Sequence, residues 1–365
     1  MRDSLSLALI AFIIFTVPLP IHHAASGENK HIGAFFYPSY GHYRSWNTSS
    51  HNPPVTWASH YLPDFKPVGF SPSSQLYDSM SEETIRWQLS LMKKAMLDFI
   101  IASWWGPRSF EDQTPQRTFK IAGEEDLGVS PSVKWCILYE KEGQSNPSFD
   151  EIVNDLKYVK EVFGKSDVYF RLDERLVVFV MADPQDNMEY AEKWREVRRV
   201  ISGFYTVLKV FPGFVRIKEY SDSWFQYAPA NRFECHEGFS AYASPGFWRY
   251  DEGPRLERDP SEFARALTRL HYAPAQFLLI ETWNNWLEGS QIEPAYQVVS
   301  REDSYVQAST SYNTTYIDLV RIILREEANL AVRPSITHIV AGTVSSISAG
   351  ILIAVSIVKI VRGRE

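Results

Sequence analysis

The chain has 365 residues and a formal net charge of −7, aromatic side chains make up 14% of it, and it has only two cysteines. No Lys/Arg-rich stripe crosses its middle, so nucleic acid is excluded as an expected partner. Cys136 and Cys235 fit neither a zinc site nor a disulfide framework, which leaves one disulfide or two buried free thiols. Since no His, Asp or Cys cluster has metal-ligand spacing, the sequence predicts a site without metal or cofactor.

The N-terminus has the layout of a secretory signal over residues 1–25. An apolar run, Leu5–Pro20, follows the early basic residue Arg2, and small residues follow the run. This pattern predicts cleavage near Ala25, and an uncleaved anchor is the alternative. Two N-x-Ser/Thr sequons, at Asn47 and Asn313, agree with an external location but add little weight.

Between residues 31 and 330, short apolar runs alternate with longer amphipathic stretches. The candidate strands are Ile32–Tyr37, Phe99–Trp104, Val133–Tyr139, Leu176–Met181, Tyr205–Val210, Val215–Glu219, Phe239–Ala243 and Phe277–Thr282. The candidate helices are Ser81–Ala95, Phe149–Phe163, Asn187–Ile201 and Pro260–Leu270. This alternation predicts an α/β fold of the (β/α)₈ TIM-barrel type. A doubly wound open sheet is the alternative, and it is disfavoured because no Gly-rich phosphate loop follows any candidate strand.

The C-terminus carries a second long apolar segment. Ile339–Val358 is uncharged and mostly apolar, and its length suits one membrane-spanning helix of about 20 residues. Basic residues follow at Lys359, Arg362 and Arg364, and such residues favour the cytoplasmic side. The sequence therefore predicts a transmembrane helix within residues 337–360, a basic cytoplasmic tail at 361–365, and a domain that faces outward or into the secretory lumen. A buried core helix is the competing interpretation, and the terminal position of the segment argues against it.

Aromatic, amide and acidic side chains gather at the carboxyl ends of the predicted strands, where the active sites of such barrels lie. These residues are Tyr37, Tyr40, Trp104, Trp105, Glu140, Asp183, Tyr242, Glu281, Trp283, Asn284, Trp286 and Glu288. Aromatic rings stack on sugars, and carboxylates and amides bridge pairs of hydroxyl groups. Glycosidic bonds are generally cut by two carboxyl groups, for which Glu140, Glu281 and Glu288 are the candidates. The pattern predicts a sugar-binding barrel and leaves hydrolysis open.

One segment resembles a known family. Glu281–Ala295 reads ETWNNWLEGSQIEPA and resembles the signature of the endo-acting α-mannosidases of glycoside hydrolase family 99, roughly S-F-N-E-W-H-E-G-T-Q-I-E-P-A. The same pattern occurs in related barrel proteins of polysaccharide biosynthesis. Weaker blocks agree in order: Ala34–Gly41 (AFFYPSYG), Trp57–Pro63 (WASHYLP), Phe99–Gly106 (FIIASWWG) and Tyr242–Gly246 (YASPG). The resemblance extends over nearly all of residues 32–295.

The resemblance implies retaining cleavage inside an α-mannose-containing chain. In that family the second of two glutamates three residues apart is the acid/base, and the first assists attack by the 2-hydroxyl of the substrate. By position Glu288 is the acid/base, but Asn285 stands where the first glutamate is expected. An amide cannot accept that proton, and losing a general base typically costs about 10²–10⁴-fold in rate. Three explanations are open: Glu281 supplies the carboxylate, Glu140 or Glu281 acts with Glu288 in another mechanism, or the protein binds glycans without cutting them.

Substrate contacts are also implied. By position the hydroxyl partners are Tyr37, Tyr40 and His60, and the sugar-stacking or substrate-binding rings are Trp104, Trp105, Tyr242, Trp283 and Trp286. Packing at the barrel rim is the alternative for these rings, most directly for Trp286. Glu293 is expected to support the signature loop. Two hypotheses result: a membrane-anchored, extracytoplasmic glycosidase acting on α-mannose-type glycans, or a non-catalytic protein of glycan binding or surface-polysaccharide assembly built on a degenerate hydrolase barrel. Both take an oligosaccharide or polysaccharide as the partner.

Overall fold

The computed structural model describes residues 30–41, 46, 55–66, 76–125, 133–183, 186–302, 305–309 and 311–326. The predicted signal segment, the sequon at Asn47, the membrane segment 337–360 and the basic tail 361–365 lie outside the described residues. Within them, no helix has both the length and the apolar character needed to cross a membrane.

Most of the strands build one parallel sheet. In chain order the strands are β1 His31–Phe36, β2 Tyr61–Pro63, β3 Phe99–Trp104, β4 Lys134–Tyr139, β5 Arg171–Leu172, β6 Arg175–Val180, β7 Phe204–Lys209, β8 Ser223–Phe225, β9 Phe233–His236, β10 Ser240–Ala243, β11 Phe277–Ile280, β12 Ala295–Glu302 and β13 Tyr305–Ala308. The sheet order is β8-β7-β6-β4-β3-β1-β11-β10-β9, with β5 beside β6, and the neighbouring pairs are parallel except β10 with β9 and β5 with β6. Strands β2, β12 and β13 form a separate antiparallel sheet, which the sequence did not predict.

The parallel sheet curls into a barrel around a core of phenylalanine rings. Phe179 of β6 and Phe277 of β11 are four strands apart in the sheet order, which corresponds to roughly 19 Å along a flat sheet. Their ring centroids are nevertheless only 5.4 Å apart, so the sheet must close on itself. Gly33 of β1 leaves room for this core, because a Cβ there would lie 2.4 Å from Cζ of Phe99. The predicted TIM-barrel-like fold is thus confirmed, as a nearly closed barrel.

Helices surround the barrel. They are α1 Val55–Ala58, α2 Glu82–Lys94, α3 Phe110–Glu125, α4 Glu142–Ser145, α5 Phe149–Val162, α6 Met188–Val200, α7 Pro260–Tyr272 and α8 Thr315–Arg321, with a 3₁₀ helix at Phe214–Tyr220 and a π-helix at Ile322–Glu326. The four predicted helices are confirmed within two residues at each end, and their N-caps follow the expected chemistry. Ser81 accepts from the amide of Thr84 at the start of α2, and Ser148 begins α5 with a capping box. Helix α3 was missed, since Pro115 inside it masks its pattern.

One predicted strand is wrong. Residues 215–219 belong to the 3₁₀ helix Phe214–Tyr220, and the sixth barrel strand is β8, Ser223–Phe225. The buried side chains of this helix, Phe214 and Ile217, are three residues apart, which is the period of a 3₁₀ helix. In so short an apolar run the period could be mistaken for that of a strand.

Candidate active site

A hydrogen-bonded group centred on Glu288 lies at the mouth of the barrel. Tyr227 Oη and Asn285 Nδ2 both donate to Glu288 Oε2, at 2.7 and 2.8 Å. The hydroxyl of Tyr37, just after β1, in turn donates to Tyr227 Oη at 2.8 Å. Burial raises the pKa of Glu288, and the hydrogen bond from Tyr227 opposes that rise. Because the described donors all meet Oε2, one oxygen of this half-buried carboxyl group is held and the other is left for a ligand.

Asn285, which replaces the expected glutamate, is occupied with holding Glu288. Its Nδ2 lies 2.8 Å from Glu288 Oε2 and 3.2 Å from Tyr227 Oη, and its Oδ1 accepts from the amide of Glu288 at 3.3 Å. Within the described residues, Glu288 is the only carboxylate within hydrogen-bond distance of this side chain. The other side chain that Asn285 contacts is thus the hydroxyl of Tyr227, not a second carboxylate.

A second carboxyl group, Glu140, follows β4 on the same side of the barrel. Ser103 Oγ donates to Glu140 Oε1 at 2.8 Å, and Trp105 Nε1 donates to Ser103 Oγ at 3.1 Å. Burial raises the pKa of Glu140 to about 7, and the negative charge of Glu288 adds to the rise. Trp105 itself is 41% exposed, so it can present a ring face beside this carboxyl group.

The third candidate, Glu281, is deeper. Its Oε2 accepts from the amide of Ala228 at 2.8 Å, and its Oε1 is buried without a hydrogen-bond partner in the described part of the chain. Burial holds the pKa of Glu281 well above its usual range, and the charge of Glu288 raises it further. Lys209, the last residue of β7, has a pKa lowered by burial, which the carboxylates of Glu281 and Glu140 oppose. Burial in the barrel interior therefore favours the neutral form of Glu281.

Five aromatic residues that the resemblance assigned to the substrate are buried. Their polar atoms are used internally: Trp104 Nε1 donates to Asp112 at 2.9 Å, Trp283 Nε1 to Glu293 at 2.9 Å, Trp286 Nε1 to Tyr77 Oη at 2.9 Å and Tyr242 Oη to Glu234 at 3.3 Å, while Tyr40 Oη accepts from the amide of Trp286 at 3.1 Å. None of the five is more than 3% exposed. This burial is what rim packing requires, and it gives no support to a stacking role.

The other positions are more accessible. His60 is half-buried and stacks on Trp248, with ring centroids 3.8 Å apart, and Asp183 is exposed. Asp183 lines a polar cavity of about 620 Å³ between the loops after β4 and β6, together with Glu142 and Lys193. Tyr37, Trp105, Glu140, Asn285 and Glu288 are thus the predicted residues that the structure brings together at the mouth.

Glu293 supports the signature loop through three buried hydrogen bonds, as expected. Its carboxylate accepts from Tyr77 Oη at 2.8 Å, Gln88 Nε2 at 2.7 Å and Trp283 Nε1 at 2.9 Å. Burial raises the pKa of Glu293 to about 7, although the three donors lower it.

Sequence reasoning missed two residues of the site, Tyr227 and Lys209. Tyr227 lies two residues after the end of β8, but the sixth strand was placed too early, so Tyr227 was far from any predicted strand end. The run Ser223–Phe225, with a tyrosine two residues behind it, was the available signal. Lys209 was assigned to the predicted strand Tyr205–Val210. The signal that could have identified it as a site residue was a single charged side chain in an apolar run.

Among the described residues, no three His, Cys, Asp or Glu side chains are placed together to hold a metal ion. Cys136 is buried and Cys235 half-buried, and both are free thiols. Of the two interpretations of the cysteines, the structure therefore agrees with free thiols.

Solved structures that are similar in fold include glycoside hydrolases and a glycoside hydrolase-like protein. The GH99 endo-α-mannosidase from Bacteroides thetaiotaomicron, in complex with bis-tris propane, matches with a TM-score of 0.62 at 16% identity, over 84% of this chain and 100% of that chain. A second structure of the GH99 endo-α-mannosidase from that organism gives 0.60 at 15% identity, over 84% and 100%. A glycoside hydrolase-like protein gives 0.53 at 13%, over 85% and 97%. No protein-family model and no curated protein sequence matches the chain. At these identities the likeness establishes a glycoside-hydrolase-like barrel, which confirms the resemblance at the level of the fold.

Proposed function

We propose that this protein is a glycoside hydrolase of α-mannose-type glycans, with Glu288 as the acid/base. The observation that carries the proposal is the arrangement of Glu288, whose Oε2 is held by Tyr227 and Asn285 while no donor among the described residues meets Oε1. The mannose specificity is taken from the resemblance and from the endo-α-mannosidases that share the fold.

The geometry suits proton transfer to a leaving group. Burial keeps a proton on Glu288 to higher pH than usual, so Oε1 can donate it to the glycosidic oxygen. The hydrogen bonds from Tyr227 and Asn285 then stabilise the carboxylate that forms. Because these bonds already exist before the reaction, little reorganisation is needed as the charge develops.

Glu140 is our choice for the second carboxyl group. Its pKa of about 7 means that the ionised and neutral forms coexist near neutral pH, which suits a group that must take up a proton. Asn285 cannot take up a proton. We therefore propose that Glu140 acts with Glu288, in place of the glutamate that the family has at the position of Asn285. Retention of configuration, as the resemblance implies, would then depend on Glu140. Trp105 would bind a sugar ring next to Glu140.

A second candidate function is glycan binding without cleavage. One observation favours it: Asn285, which stands where the first glutamate is expected, uses both ends of its amide to hold Glu288, and its other partner is the neutral hydroxyl of Tyr227. Such a mouth could recognise a glycan in surface-polysaccharide assembly and perform no chemistry.

We further propose that the barrel faces the outside of the cell or the secretory lumen, anchored by the segment 337–360. The sequence pattern of that segment supports the proposal.

The experiment compares four forms of the full-length protein in detergent: wild type, Glu288→Gln, Glu140→Gln and Asn285→Glu. Each is incubated with α-mannosyl oligosaccharides, and the released sugars and bound glycans are measured. Cleavage by the wild type that is lost in Glu288→Gln and in Glu140→Gln supports the proposal, and the anomeric configuration of the product tests retention. If only Asn285→Glu cleaves, or if glycans bind and none is cleaved, the binding function is correct instead.

A further inference from the structure

A buried arginine lies behind the signature loop. Arg258, two residues before α7, has its Cζ 4.7 Å from the ring centroid of Tyr61, 4.8 Å from that of Tyr316 and 5.2 Å from that of Tyr312. Its Nε and Nη1 are buried and form no hydrogen bond within the described structure. A buried cation is costly unless it is compensated, and each cation–π contact returns roughly 0.5–2 kcal/mol. The free-energy cost of burying this guanidinium therefore needs a physical explanation.

A hydrogen bond from Arg258 to the backbone of the signature loop suggests why the charge is buried there. Its Nη2 donates to the carbonyl oxygen of Gly289 at 2.8 Å, directly after Glu288 in the chain. The amide of Trp248, from the same loop as Arg258, donates to the carbonyl oxygen of Glu288 at 2.8 Å. Two successive carbonyls around the acid/base are therefore held from one side, by one loop.

One of the three tyrosines, Tyr312, also connects the arginine to the far end of the signature loop. Tyr312 Oη donates to the carbonyl oxygen of Glu293 at 2.9 Å and accepts from Gln291 Nε2 at 3.2 Å. Removal of the guanidinium would thus release the carbonyl of Gly289 and also leave a gap beside the ring of Tyr312, which bonds Gln291 and Glu293.

We propose that Arg258 is a positioning residue that fixes the backbone of Glu288 for catalysis through its buried guanidinium and its cage of three tyrosines. The proposal rests on the proposed function of Glu288. Tyr227 and Asn285 hold the carboxyl group of Glu288 from inside the mouth, and Arg258 holds the carbonyl of the next residue, Gly289, from the other side of the loop. A displacement of about 1 Å in a catalytic group can cost about 10²-fold in rate. A role of this kind changes kcat more than KM.

The test uses Arg258→Met, Arg258→Lys and a matched control, Arg232→Met, in the full-length protein. Arg232 also donates to two backbone carbonyls, those of Ser244 and Glu257, but to none in the signature loop. For each form, kcat and KM are measured on an α-mannosyl oligosaccharide. Hydrogen exchange is measured for peptides that cover residues 285–293, together with the thermal unfolding midpoint.

Arg258→Met is expected to lower kcat about 10- to 100-fold with a change in KM of less than about 3-fold. Exchange in residues 285–293 should rise in this variant and not in Arg232→Met. Arg258→Lys keeps the charge in the cage and should recover part of both effects, since it lacks only the planar fork. Equal losses of kcat in Arg258→Met and Arg232→Met, or unchanged exchange in residues 285–293, would overturn the proposal.

The exchange measurement separates this proposal from the proposed function. If the wild type cuts no glycan, the proposed function fails, while selective loosening of residues 285–293 in Arg258→Met would still show that Arg258 holds the loop. If the wild type cuts glycans and Arg258→Met has a normal kcat, only the role of Arg258 is refuted.

Discussion

Substitution of Tyr227 by Phe tests how the site controls the proton on Glu288. The hydroxyl of Tyr227 donates to Glu288 Oε2 at 2.7 Å, and a hydrogen bond to a charged acceptor is worth about 1.5–3 kcal/mol. The bond favours the ionised form, so its loss should raise the pKa of Glu288. At 1.36 kcal/mol per pKa unit, the expected rise is about 1–2 units, with Asn285 still donating. The ring should stay in place, because its edge-to-face contact with Phe35, at 5.1 Å, does not involve the hydroxyl.

The assay is the pH dependence of kcat/KM. If Glu288 is the general acid, the alkaline limb should move to higher pH by about 1–2 units in Tyr227→Phe. Without measurable cleavage, ¹³C NMR of labelled glutamate gives the same titration. Tyr242→Phe is the control, since that hydroxyl donates to Glu234 at 3.3 Å and not to Glu288. An unchanged or lowered pKa of Glu288 in Tyr227→Phe, or an equal rise in the control, would refute the reasoning.

Three further predictions concern stability and binding. Since burial raises the pKa of Glu140 from its ordinary 4.5 to about 7, the fold favours its neutral form. The folded state therefore loses stability as Glu140 ionises: the free energy of unfolding should be highest below pH ~4.5 and should fall by up to about 3 kcal/mol as the pH rises to about 7. Glu140→Gln should remove this part of the pH dependence in urea titrations. Gly33→Ala should destabilise the barrel by about 1–3 kcal/mol in a thermal unfolding assay, because the new Cβ would overlap the Phe99 ring. Gly123→Ala in α3 is the control: its new Cβ meets nothing within 4 Å, so it should be neutral or stabilising in the same assay. Trp105→Ala should weaken glycan binding about 10-fold in calorimetry without lowering the unfolding midpoint, since the side chain is 41% exposed, and a lowered midpoint would show that the ring is structural instead.

The sequence by itself determined the class of fold and the signature loop. Alternating buried runs and amphipathic helices are local features, so seven of the eight predicted barrel strands and the four predicted helices were found correctly. Glu140 and Glu288 could also be named in advance, because a barrel gathers the carboxyl ends of its strands at one mouth.

Only the tertiary structure decided which of these residues meet. Trp104 and Trp105 are neighbours in sequence, yet Trp104 is fully buried and Trp105 is 41% exposed, because successive residues at a strand end point in different directions. Tyr227 reaches Glu288 across 61 positions of the chain, and that contact depends on where β8 begins. Arg258 and its tyrosines come from three separate segments of the chain, and no local pattern encodes their meeting. Burial and contact between distant residues arise from packing of the whole barrel, which is why the sequence could name candidates for the site but not their arrangement.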